Sequence, residues 1–101
     1  MNLALEWAKI AFDQLIVDHP DLGTGMVAGL GAAGSGGRPG FGWFFGGDTY
    51  INSFSISAYG AHDTVKTSLA FTQKWQREDG KMAHELSQAE GYIDWWQDYP
   101  Y

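Results

Sequence analysis

Over the first seventeen residues the apolar side chains Leu3, Trp7, Ile10, Ala11 and Leu15 recur chiefly at spacings of three and four, the period that puts them on one face of an α-helix. Glu6, Lys9 and Asp13 fall on the other face, and Asn2 stands where its side chain can cap the start. The pattern predicts a helix over residues 3–17, and then it stops. Residues 18–47 hold 11 of the 14 glycines and two of the three prolines, which predicts a loop of about thirty residues. Connections of that length usually line a functional site or lack order, and the rings of Phe41, Trp43, Phe44 and Phe45 argue for a packed one.

The helical period returns over residues 49–59, where Ile51, Phe54, Ser55 and Ala58 share a face, and Gly60 is placed to end the helix in the left-handed region. A further helix over residues 61–77 carries Val65, Leu69 and Thr72 on one stripe. Asp63 near its start and Lys74 and Arg77 near its end suit the helix dipole. So short a link between two helices makes an antiparallel αα-hairpin. After Gly80 the stretch KMAHELS alternates Met82, His84 and Leu86 with Ala83, Glu85 and Ser87, the mark of a short extended segment, and the tail GYIDWWQDYPY is aromatic and acidic. The expected fold is all-α: one helix plus an αα-hairpin with a long Gly- and aromatic-rich loop. Three such helices do not close a core that also shelters the loop and tail, so residues 1–101 are expected to be a piece of a larger helical domain.

Composition narrows the partners. The chain is 45% hydrophobic and 16% aromatic, too apolar for intrinsic disorder. Its net charge is −6 with six scattered basic residues, so no basic stripe is present to follow a nucleic acid. Residues 22–37 are uncharged but glycine-laden and shorter than the ~20 apolar residues of a membrane helix, so neither nucleic acid nor membrane is an expected partner. Glu6 and Lys9 interrupt the first apolar stretch, which does not read as a secretory signal; a cytoplasmic location is the default. With no cysteine there is neither a thiolate site nor a disulfide framework.

Few motifs carry chemistry. GLGAAG, residues 29–34, spells the dinucleotide fingerprint, but the following Ser-Gly-Gly-Arg-Pro-Gly cannot continue as the helix that holds a pyrophosphate. His19, His62 and His84 lack metal-ligand spacing, and no G-x-S-x-G elbow occurs; neither a metal nor an organic cofactor is expected. Asp48 stands at the corner between the aromatic loop and a helix. As an N-cap it would contribute ~1 kcal/mol. Beside Trp43, Phe44 and Phe45 it also suits a pyranose, whose C–H face lies on aromatic planes and whose hydroxyls donate to carboxylates. On the residues alone, core packing and capping are the simpler account.

RPGFGWFFGGDTYINSFSISAYG and LAFTQKWQREDGKMAHELSQAEGYIDWWQDYPY resemble the (α/α)6-toroid glycoside hydrolases, closest to the glycogen-debranching, amylo-alpha-1,6-glucosidase-like family of six-hairpin glycosidases. The resemblance runs from about Pro20 to Tyr101. It implies that the chain is an N-side fragment of a toroid catalytic domain whose loop forms one wall of a sugar pocket, the remainder of the domain and an oligosaccharide or glucan being its partners. Trp43, Phe44, Phe45 and Asp48 would then contact substrate, with His84 and Glu85 reaching the pocket mouth. Asp48 matches the aspartate of a family Arg-Asp pair, and Gly47 replaces the arginine, removing a charged donor. The implied chemistry is inverting hydrolysis of alpha-linked glucans by a carboxylic acid and a carboxylate ~6.5–9.5 Å apart, with no cofactor. In the family both follow the segment matching DYPY, so no residue here is expected to be catalytic. The alternatives are a non-catalytic carbohydrate-binding module and an inactive truncated remnant.

Overall fold

The computed structural model describes residues 2–29, 42–88 and 93–95. The glycine run from Ala28 onward is described only as far as Gly29, and Arg38, Phe41 and the tail after Trp95 lie outside the described residues. In chain order the elements are α1 (Leu3–Gln14), β1 (Ile16–His19), β2 (Gly23–Met26), β3 (Phe44–Phe45), α2 (Gly46–Ala58), α3 (His62–Lys74), β4 (Glu85–Leu86) and β5 (Ile93–Asp94). This is a small α+β domain with two antiparallel sheets, which corrects the all-α expectation and with it the partial toroid.

The first sheet arises where the sequence pattern suggested the end of a helix and the start of a loop. α1 closes at Leu15, and the β-branched pair Ile16 and Val17 turns to extended backbone. Strand β1 pairs with β2 in register from Ile16↔Met26 to His19↔Gly23, leaving Pro20, Asp21 and Leu22 as a three-residue hairpin loop. Gly23 follows at φ 111°, the left-handed position such loops require. His19 holds the turn: its Nδ1 accepts from the backbone N–H groups of Asp21 and Leu22 at 3.2 Å each, so Nε2 carries the proton and donates to the Gln88 carbonyl at 2.9 Å. Thr24 donates to its cross-strand partner Asp18 at 2.8 Å.

The second sheet has the order β3-β4-β5, with Phe44↔Leu86 and Phe45↔Glu85 across one ladder and Glu85↔Asp94 and Leu86↔Ile93 across the other. It runs directly into α2. The first helical residue is Gly46, whose N–H donates to the His84 carbonyl at 2.9 Å, so strand backbone, not a side chain, caps the helix. Asp48 is therefore the third residue of α2, not its cap, and the helix begins three residues earlier than the sequence pattern suggested.

The helical hairpin follows expectation. Gly60 at φ 93° ends α2; its N–H donates to the Ser57 carbonyl, and the Ala61 N–H reaches the Ile56 carbonyl, the paired bonds of a Schellman motif. α3 packs on β2, where Gly25 leaves room for Phe71: a Cβ there would meet the ring at 2.8 Å. Among the buried hydrophobic residues, which also include Met26, Trp43 and Ile56, the side chains of Val27, Phe44, Phe71 and Leu86 form one cluster, bordered by Leu15, Val17, Leu22, Trp75 and Ile93. The Phe44 and Phe71 rings, 4.4 Å apart, join the two sheets. α1 contributes no buried residue.

Candidate functional site

Phe45, His84 and Glu85, some forty positions apart in the chain, meet because β3 and β4 are ladder partners. Directly opposed residues of an antiparallel pair project to the same face, so Phe45 and Glu85 share one side of the sheet. The His84 imidazole stands edge-on to the Phe45 ring, centroids 5.9 Å apart at an interplanar angle of 83°. β5 adds a second carboxylate, since Asp94 lies opposite Glu85 on that same face.

The three aromatic residues have different surroundings. Trp43 is 5% exposed and Phe44 4%, and Phe44 belongs to the core, whereas Phe45 is half-buried. Behind the ladder, between Phe44, Phe45, Thr49, Phe71, Trp75 and Leu86, the free space is about 10 Å³, at the lower limit for one water. A ligand can approach only from the outer side. Asp48 is exposed on the first turn of α2, three residues beyond Phe45. The structure thus brings Phe45, His84 and Glu85 together, with Phe44 packed beneath, Trp43 buried nearby and Asp48 outside.

Glu85 dominates the electrostatics. It is 6% exposed. Burial pushes its carboxyl above the usual glutamate range; the neighbouring His84 partly opposes this, and Asp94 across the strand adds to it. A carboxyl held toward its protonated form can donate as well as accept a hydrogen bond.

Asp94 is the member of the group that the sequence pattern did not single out. It stands in the acidic, aromatic tail, and its one local signal is the β-branched Ile93 beside it. Around the group, Gln88 Nε2 donates to the Gly42 carbonyl and Trp95 Nε1 to the Trp75 carbonyl at 3.3 Å. The Arg77 guanidinium lies 6.0 Å from the Trp95 ring. Arg77 is itself fixed by two hydrogen bonds to Asp79, of 2.9 and 2.6 Å, and these hold the Asp79 carboxyl down to about 2. Among the described residues no group of three or more His, Asp or Glu side chains is arranged to hold a metal ion, and no helix is long and apolar enough to cross a membrane.

No family model, curated protein or solved structure matches the chain.

Proposed function

We propose that the chain supplies part of the sugar-binding wall of a glycoside hydrolase acting on alpha-linked glucans. The half-buried ring of Phe45 would take the apolar C–H face of a glucose unit, Glu85 and His84 would bond its hydroxyls, and Asp48 would meet the next unit at the rim. One observation carries this reading: the β3–β4 register sets an aromatic ring and a nearly buried carboxyl on the same face. Pyranose recognition needs that pairing of apolar plane and acceptor. Phe44 supports the wall from behind.

Glu85 and Asp94 are binding groups in this proposal, not the acid and base of hydrolysis. The resemblance places neither the acid nor the base within residues 1–101.

Calorimetric titration of the chain with maltooligosaccharides tests the binding reading. Saturable binding that Phe45→Ala abolishes and Glu85→Gln weakens is the expected result, with circular dichroism confirming that both variants fold. Folded wild-type protein that takes up no sugar would remove the proposal. Sugar binding that neither substitution changes would place the site elsewhere on the chain.

A further inference from the structure

The helices carry the largest exposed apolar surface of the described residues, none of it used by the sugar-binding group. Between α2 and α3 runs a groove of about 580 Å³ floored by Tyr50, Phe54, Ala58, Val65 and Leu69, with the Ser53 and Ser57 hydroxyls along one side. Phe54 is 80% exposed at its edge. α1 is the counterpart: an amphipathic helix with no buried residue, whose Leu3, Trp7 and Ile10 are 70%, 63% and 47% exposed. Its fit to its own chain is loose, since a cleft of about 350 Å³ separates Ile10 and Phe12 from Tyr59, Ala61 and Thr64.

We propose that the α2–α3 groove receives α1 of a second copy of this chain, giving a reciprocal dimer in which each α1 lies in the partner copy's groove. A groove between two antiparallel helices is the shape that takes an amphipathic third helix, anchored by side chains at helical spacing, and Leu3, Trp7 and Ile10 supply that spacing. The area suffices: Leu3, Trp7 and Ile10 on α1 with Phe54 and Leu69 at the groove present roughly 600–700 Å² per copy, most of the ~800 Å² that each partner of a standard stable interface buries. Because the contact is reciprocal under a two-fold axis, it closes at two copies instead of continuing as a fibre.

Sedimentation equilibrium on the 101-residue chain tests the proposal, with Trp7→Ser and Phe54→Ser as separate variants. Both side chains are exposed, so neither substitution touches the core, and circular dichroism checks each fold. The expected result is a wild-type dimer whose dissociation constant rises roughly tenfold or more in either variant, as truncating an aromatic anchor does. An equimolar mixture of the two variants should regain dimer, because one intact α1 then meets one intact groove. A monomer at concentrations up to about 100 µM overturns the proposal. So does a dimer weakened by Phe54→Ser but indifferent to Trp7→Ser, which would be groove packed on groove.

Discussion

Glu85 sits where a charge is least comfortable, nearly buried and opposite Asp94, and this gives it a pH signature. Its carboxyl is raised in the fold, by burial first, above the ordinary value of 4.5 that applies to the unfolded chain. The unfolded chain therefore releases this proton at lower pH than the folded one does. Stability from this group is full below the unfolded value and is lost as pH rises through the folded one. Urea unfolding followed across that interval should show wild-type stability falling relative to Glu85→Gln, which stays neutral throughout; parallel curves would mean that Glu85 is ionised in the fold at no cost. Asp48 makes the contrast. It is exposed at the third position of α2, so its charge acts on the helix dipole alone, worth ~0.3–1 kcal/mol at an exposed site. Asp48→Asn should therefore cost less than ~1 kcal/mol in urea unfolding, and a larger loss would show a contact other than the dipole.

Two glycines separate elements for different reasons, and substitution distinguishes them. Gly60 has open space around it but φ 93°, so Gly60→Ala adds only backbone strain, ~1 kcal/mol. Gly25 has no such backbone angle but faces the Phe71 ring, 2.8 Å from where a Cβ would stand. Gly25→Ala must push β2 away from α3 and should cost ~1–3 kcal/mol. Pairing it with Phe71→Leu in a double-mutant cycle should recover part of that loss; strictly additive losses would mean that the ring moves aside freely. The same elements show what sequence pattern can reach. The helical stripes and the Gly60 stop were legible because helix period and capping are local. The spacing of three and four that Leu15 continues carries the helical pattern over Ile16 and Val17, and β2, Gly-Thr-Gly-Met, offers no alternation of apolar and polar side chains. β4 lies within the alternating stretch 81–87 that predicts an extended segment, whereas β3 and β5 have two residues each and no such flanking pattern, so tertiary pairing alone defines them. For the same reason the residues Phe45, His84 and Glu85 could be singled out one by one, while their meeting, and Asp94 with them, depended on a register that no local pattern encodes.

At the scale of the whole molecule Phe71 is a principal link between the sheets, beside the His19–Gln88 hydrogen bond and the bond from the Ala28 N–H to the Trp43 carbonyl. Phe71 comes from α3, lies on Gly25 of the first sheet, touches Phe44 of the second at 4.4 Å and approaches Trp75 at 6.5 Å. The two sheets share no strand. Among the described residues only seven hydrophobic side chains are buried, and Val27, Phe44, Phe71 and Leu86 form one cluster among them, so the domain has little redundancy. Replacing a buried Phe by Ala costs ~3–5 kcal/mol through lost transfer energy and the cavity left behind. Against the ~5–15 kcal/mol total of an ordinary domain, Phe71→Ala should remove a large share of stability, and it should do so for both sheets at once. Amide hydrogen exchange reads this directly: protection at Val17 and Gly25 in the β1–β2 hairpin should fall together with protection at Leu86 in β4. If the hairpin loosened while β4 kept its protection, the second sheet would be held by Phe44, Leu86 and Ile93 alone. The Phe45–Glu85 pairing would then rest on a unit independent of the helical hairpin. A common fall would mean that the proposed sugar wall keeps its geometry only while α3 stays docked on β2, which ties the recognition surface to the Phe71 contact.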